Sequence, residues 1–209
     1  MPQLKIGVLV SGSGTNLQSL IDNIGSGLIN GKIAVVISNK ENAYGLERAR
    51  QHDIDAVYLN QKKYDSFEDY SDAIIEELRA HSVDLVVLAG YLKILSPKFI
   101  ESFRNKIINI HPSLIPSFSG KGYYGLKVHE AVISYGAKVS GATVHFVDED
   151  ADTGPIILQK TLEVEYNDTP ETLQQRVLKI EHEILPLAVK YFCEGRLEIR
   201  GRKVKIKEI

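Results

Sequence analysis

The chain has 209 residues, 44% of them hydrophobic, enough to bury a sizeable core in one α/β domain. A formal charge of -2, from 25 basic and 27 acidic side chains mixed along the sequence, leaves no electrostatic footprint for nucleic acid or an anionic membrane and points to small-molecule partners. The lone Cys193 excludes an internal disulfide and a multi-thiolate metal site, and with no cleavable leader and no apolar run of membrane-spanning length a soluble cytoplasmic protein is expected.

Short apolar, β-branched runs alternate with helical patterns. Strands are expected at Leu4 to Val10, Ile33 to Ile37, Ala56 to Leu59, Leu85 to Leu88 and Ile107 to Ile110. Leu17, Leu20, Ile21 and Ile24 recur at helical spacing between them, as do Phe67, Tyr70, Ile74 and Leu78. The repeated strand–helix–strand pattern predicts a doubly wound, mostly parallel sheet. From Pro112 to Gly125 prolines and glycines crowd a long loop, a candidate active-site flap. A helix over about Leu126 to Tyr135 follows, then strands Thr143 to Val147 and Ile156 to Val164 as an antiparallel extension. Thr169-Pro170 opens a last long helix, proline being favoured in its first turn. There is no repeat, low-complexity segment or linker, so 1–209 reads as one domain, with a phosphate-binding half over 1–111 and a second half over 112–209.

The loop Ser11-Gly12-Ser13-Gly14-Thr15-Asn16 lies where the first strand hands over to the first helix, at the edge of such sheets where ligands bind. Its glycines and the positive end of the helix suit an anion, although a glycine turn also serves as a plain connection. Leu17 stands where a dinucleotide fingerprint has its third glycine, and no acidic residue ends the second strand at Ile37-Ser38-Asn39-Lys40. No Gly-Lys-Ser/Thr follows either, so a monophosphate is the better fit.

Asn109 and His111 alternate on one face near the end of a strand that Pro112 stops. Two polar groups in a run of isoleucines need partners. They are either a structural pair anchoring the next loop or an amide and imidazole that hold an oxyanion and move a proton, as acyl transfer requires. His52, His81 and His129 fall in polar helical patterns and are expected on the solvated surface. His145 shares a strand face with Thr143 and reads as structural. Glu181-His182-Glu183 lacks a second histidine at zinc-helix spacing and reads as a solvated face. Asp148, Glu149, Asp150 and Asp152 crowd the turn ending in Thr153-Gly154-Pro155, a solvated turn or weak cation site unless one carboxylate meets His111. That contact would favour the imidazolium and raise its pKa.

The Ser-Gly-Ser-Gly-Thr-Asn loop, Leu88-Ala89-Gly90-Tyr91-Leu92-Lys93-Ile94-Leu95, Asn109-Ile110-His111-Pro112-Ser113-Leu114-Ile115-Pro116 and Val144-His145-Phe146-Val147 with Asp152-Thr153-Gly154-Pro155 resemble the phosphoribosylglycinamide formyltransferase family of purine biosynthesis, from the first strand to the last helix. The resemblance implies a Rossmann-like formyltransferase fold, and 10-formyltetrahydrofolate as co-substrate with no metal. Asn109, His111 and Asp152 match the family's catalytic trio. By the same resemblance Ser13, Gly14, Thr15, Asn16 and Glu181 contact the ribonucleotide. Leu92, Lys93, Ile94 and Leu95 line the folate pocket with Asn109 and the turn Asp148, Glu149, Asp150, Ala151 and Asp152. Phe67 stands where relatives often carry an arginine for the folate tail, with Lys62 or Lys63 as cations nearby, and Lys93 keeps the charge of a common arginine without its fork.

The implied reaction is attack of the glycinamide ribonucleotide amine on a formyl carbon. Asn109 and protonated His111 would hold the oxyanion, with Asp152 supporting the ring. The proton passes through His111 or through a water near Asp152, and both routes stay open. The alternatives are methionyl-tRNA formyltransferase or formyltetrahydrofolate hydrolase chemistry, for whose extra domains this length has no room. More remote are a nicotinamide oxidoreductase and a silent nucleotide-binding module, the latter with little use for the trio.

Overall fold

Runs of apolar residues with no polar alternation form the centre of the first half. In the computed structural model, which describes residues 3–208, β1 (Leu4–Val10) and β4 (Leu85–Leu88) are almost wholly buried, as expected of strands covered on both faces. The chain divides into two compact units, one ending at Ile108 and the other beginning at Asn109.

The first unit runs β1, α1 (Thr15–Gly25), β2 (Gly31–Ser38), α2 (Tyr44–Gln51), β3 (Asp55–Tyr58), α3 (Phe67–Ala80), β4 and α4 (Pro97–Ser102), with a single 3-10 turn at Gln61–Lys63. Its strands lie in the order β3-β2-β1-β4, and β1 pairs in parallel with both β2 and β4. The stripe of α1 seen in sequence buries Leu17 and Leu20, and that of α3 buries Tyr70, Ile74 and Leu78. Ser66 caps α3 by accepting the Asp69 N–H. The short helices α2 and α4 were not expected. Each has too few apolar positions to show a helical period.

The strand β5 (Ile107–His111) carries the chain across the division. The second unit then runs α5 (Leu126–Tyr135), β6 (Val139–Phe146), β7 (Ile156–Glu163), α6 (Pro170–Cys193), β8 (Leu197–Arg200) and β9 (Lys203–Ile206), with strand order β6-β7-β9-β8. β6 and β7 form the expected antiparallel pair. β6 starts earlier than its β-branched run suggests because Gly141 allows β7 to approach: a Cβ there would collide with the Lys160 carbonyl oxygen. Thr169 caps α6 in a box with Thr172, and Pro170 takes the first turn. The hairpin β8–β9 was not expected, its few apolar residues being interleaved with charged ones.

Two expectations about exposure are corrected. His129 is not on the solvated surface: it is 1% exposed on the inner face of α5. Glu181 is not part of a solvated face either, being 8% exposed on the packed side of α6, whereas Glu183 is exposed and pairs with Lys160. His81 is half-buried between Asp55 and Glu77, and His52 is exposed, as expected.

Candidate active site

Strand alternation turns Asn109 and His111 of β5 to one side, and His145 near the end of β6 and Asp152 of the acidic turn meet them there. The His111 Nδ1 lies 3.3 Å from the Asp152 carboxylate, and Asn109 Nδ2 lies 3.5 Å from the other carboxylate oxygen. His145 Nδ1 faces the Phe146 carbonyl at 2.8 Å and therefore donates to it. In the neutral ring its Nε2 is then an acceptor, and Asn109 Nδ2 donates to it at 3.1 Å. A carboxylate accepts only, so both contacts orient the amide with Nδ2 toward His145 and Asp152. One amide N–H is committed to His145, and the second has only the long approach to Asp152.

The loop after β5 is held by hydroxyls. Buried Thr143 donates to the Ser113 carbonyl at 2.6 Å and accepts from the Ile115 N–H at 3.1 Å and from Gln159 Nε2 at 3.0 Å. Gln159 also donates to the Ile115 carbonyl at 3.0 Å, and Ser113 Oγ donates to the Ser117 and Phe118 carbonyls. This network presents the Phe118 carbonyl to His111 Nε2 at 3.0 Å and the Gly120 N–H to Asp152 at 2.9 Å. Asp152 is itself in a left-handed conformation, φ 58°, which an Asp tolerates better than most residues.

Burial lowers the His111 pKa below its ordinary 6.5. The Asp152 charge and the Phe118 carbonyl pull it upward, His145 pulls it down again, and burial prevails. The expected net elevation by the carboxylate is thereby corrected: the contact exists, but the ring is 4% exposed and loses more hydration than the contact returns. Burial alone would raise the Asp152 pKa, but the neighbouring His145 and His111 rings and the Gly120 N–H together hold it below its ordinary value. The carboxylate is therefore ionised and the imidazole neutral near pH 7. Both ring nitrogens face acceptors, so an arriving proton enters a site already shaped for it.

His129 titrates in the same direction. Burial, helped by the His111 charge, lowers its pKa from 6.5 to about 4, and its Nδ1 has no hydrogen-bond partner among the described residues. The unfolded imidazole takes up its proton near 6.5 and the folded one only near 4. Stability from this group is therefore complete above pH 6.5 and is lost as pH falls toward 4, about 2 kcal/mol of it between pH 7 and pH 5. His129→Leu is expected to flatten the pH dependence by that amount in urea unfolding at the two pH values. An unchanged slope would place the acid sensitivity elsewhere.

In the first unit the glycine loop meets the start of α1. Gly14 is the N-cap residue, left-handed at φ 69°, and a Cβ there would stand 2.7 Å from the Gly45 Cα. Ser11 Oγ contacts Asn39 Oδ1 at 2.6 Å and receives the Leu92 N–H at 2.9 Å, tying the loop to the segment after β4. In that segment Leu92 and Ile94 are 51% and 73% exposed, Lys93 is exposed, and Leu95 is buried. His145, Phe118, Gly120 and the Thr143–Gln159 pair were missed as site residues. Only the placement of His145 on the strand face of Thr143 hinted at any of them. Among the described residues no group of His, Cys, Asp and Glu is placed to hold a metal ion, and no helix is long and apolar enough to cross a membrane.

Residues 4–189 match the formyl transferase family. The chain belongs to that family. It is 46% identical over 196 residues to the phosphoribosylglycinamide formyltransferase of Haemophilus influenzae, covering 94% of this chain and 90% of the relative. The corresponding enzyme of Escherichia coli is 41% identical, with the same coverage of both chains. The crystal structure of glycinamide ribonucleotide transformylase 1 from Symbiobacterium toebii superposes with a TM-score of 0.94 at 47% identity, over 99% of this chain and 95% of that one. The fold of this formyl transferase is thus the mostly parallel α/β fold with antiparallel C-terminal strands.

Proposed function

We propose that this formyl transferase moves the formyl group of 10-formyltetrahydrofolate to the amine of N1-(5-phosphoribosyl)glycinamide, a step of de novo purine biosynthesis, in the cytoplasm. Residues 1–209 act as one domain on small molecules, with no nucleic-acid or membrane partner. The observation that carries the reading is the part-buried Asn109–His111–His145–Asp152 cluster in a chain 46% identical to a phosphoribosylglycinamide formyltransferase.

The residues fit both substrates. Ser13, Gly14, Thr15 and Asn16 hold the ribonucleotide phosphate at the start of α1, and Glu181, a buried carboxylate, meets the cationic or polar end of the same substrate. Exposed Leu92 and Ile94 offer apolar faces to a flat heteroaromatic ring, with Lys93 between them in sequence and the buried Leu95 completing the segment. The turn Asp148, Glu149, Asp150, Ala151 and Asp152 supplies polar backbone for the ring edge. Lys62 and Lys63, exposed on the 3-10 turn, offer cations to an anionic folate tail where Phe67 cannot.

The folate supplies a formyl carbon activated by the nitrogen that carries it. The second N–H of Asn109 stabilises negative charge developing on the formyl oxygen, and the His111 ring, neutral near pH 7, joins it as it takes up the proton that the attacking amine releases. Asp152 keeps that ring oriented and balances its charge. Because the His111 pKa is lowered, the protonated ring is a comparatively strong acid and gives that proton to the folate nitrogen as its bond to the formyl carbon breaks. An α-amino group titrates near ~8, so a useful neutral fraction of the attacking amine exists at cell pH without a strong base.

A spectrophotometric assay with 10-formyl donor and glycinamide ribonucleotide tests the reading. Deformylation that depends on the ribonucleotide is expected. Deformylation independent of it would assign the chain to the hydrolase type, and none at all would refute formyl transfer.

A further inference from the structure

A cation outside the predicted site lies against the glycine loop. Arg48 of α2 donates through Nε to the Ser13 carbonyl at 2.8 Å and through Nη1 to Gln18 Oε1 at 3.0 Å, and its guanidinium lies 4.9 Å from the Tyr44 ring centroid. One turn earlier on the same helix, the Gly45 N–H donates to the Gly12 carbonyl at 3.0 Å. Two successive loop carbonyls are thus held on the α2 side.

The consequence follows from peptide geometry. In a trans peptide the C=O and the following N–H point in opposite directions, and among the described residues the only cis bond is Ile115-Pro116. With the Gly12 and Ser13 carbonyls turned to α2, the Ser13 and Gly14 N–H groups turn away from it. They lie beside the first turn of α1, where the first intrahelical donor is Gln18 N to the Gly14 carbonyl at 2.9 Å. Convergent backbone N–H groups of this kind form an anion-binding nest. The close approach of Gly14 to Gly45 leaves no room for a side chain at Gly14, so the helix that carries Arg48 sits directly against the loop.

We propose that Arg48 is a positioning residue for the phosphate of the ribonucleotide: it acts through the Ser13 carbonyl to aim the loop N–H groups, and its charge adds to the field at the same place. Gly45 does the same for the preceding peptide, and Gln18 and Tyr44 hold the guanidinium plane. The inference rests on the reading of the loop as the phosphate site. Nε donation from a planar fork is what the geometry uses, so a lysine keeps the charge and loses the aim.

The test is to measure formyl-transfer kinetics for Arg48→Met and Arg48→Lys, beside equilibrium binding of ribose 5-phosphate, which carries the phosphate without the amine. Arg48→Met is expected to raise KM for the ribonucleotide about tenfold, the loss of one charge-assisted hydrogen bond, with kcat and KM for the formyl donor within about twofold. Arg48→Lys should recover only part of that loss. The dephosphorylated ribonucleoside should be used equally by all three proteins, and ribose 5-phosphate should bind Arg48→Met about tenfold more weakly. An unchanged ribonucleotide KM, an equal loss on the dephosphorylated substrate, or full recovery by lysine would each overturn the proposal. If the wild type forms no product from the ribonucleotide, the functional reading fails on its own. The ribose 5-phosphate comparison still decides the role of Arg48.

Discussion

Replacing His111 by alanine is expected to lower kcat by roughly 10³-fold while both substrates bind within a few-fold of the wild type. The imidazole is almost wholly enclosed, with one nitrogen on the Phe118 carbonyl and the other on Asp152, so it offers little surface for ground-state binding and a fixed place for a proton. What alanine removes is charge stabilisation as the formyl oxygen becomes anionic, felt in the transition state more than in the complex. Steady-state kinetics read the split between kcat and KM, and near-normal turnover would end the role assigned to His111. Asp152→Asn separates the proton from the position. It removes the contact that raises the His111 pKa, so the ring should titrate still further below 6.5 than in the wild type, read by NMR of the imidazole protons. Less imidazolium at neutral pH then means slower turnover. An upward movement of the titration would show that Asp152 does not act on His111 by its charge.

The features of this site that were legible in sequence are local ones. A polar pair alternating in an isoleucine strand, stopped by proline, has one geometric outcome, and Asn109 and His111 do share a face. The glycine loop after β1 and the Thr169-Pro170 cap are likewise written in adjacent residues. Asp152, by contrast, was picked from neighbouring carboxylates by resemblance. It meets His111 because a left-handed residue and the Gly120 N–H direct it there, and neither is visible in a string of acids. His129 was misread for a related reason. The polarity of a histidine suggests solvent, whereas the apolar face of α5 buries this ring. The sign of the His111 shift also depends on how much water the fold excludes, which no spacing records. Arg48 lies far along the chain from Ser13, and its sequence context is that of an ordinary charged helix.

The same dependence on tertiary approach makes Gly154→Ala the substitution with the largest expected effect on stability. A Cβ at Gly154 would overlap the Phe146 carbonyl oxygen and crowd the Asp148 N–H, both of them backbone, so no side chain can swing aside to relieve it. The φ of Gly154 is not in the left-handed region, so the requirement for glycine is space alone. Separating the strands here breaks the pairing of Phe146 N–H with the Pro155 carbonyl at 2.9 Å. The expected cost is about 3 kcal/mol, a fall in Tm of roughly 6–12 °C for a chain of this size. Because Asp152 lies two residues away on the same turn, kcat should fall with it even at temperatures where the variant is folded. Gly120→Ala provides the contrast. Gly120 has φ 87° but open space around it, its nearest neighbour being the Ala151 carbonyl at 3.9 Å, so only backbone strain of about 1 kcal/mol is expected. Thermal unfolding of the two variants side by side distinguishes close approach from conformational strain. Equal losses of Tm would mean that the contact between Gly154 and β6 is not what holds the acidic turn.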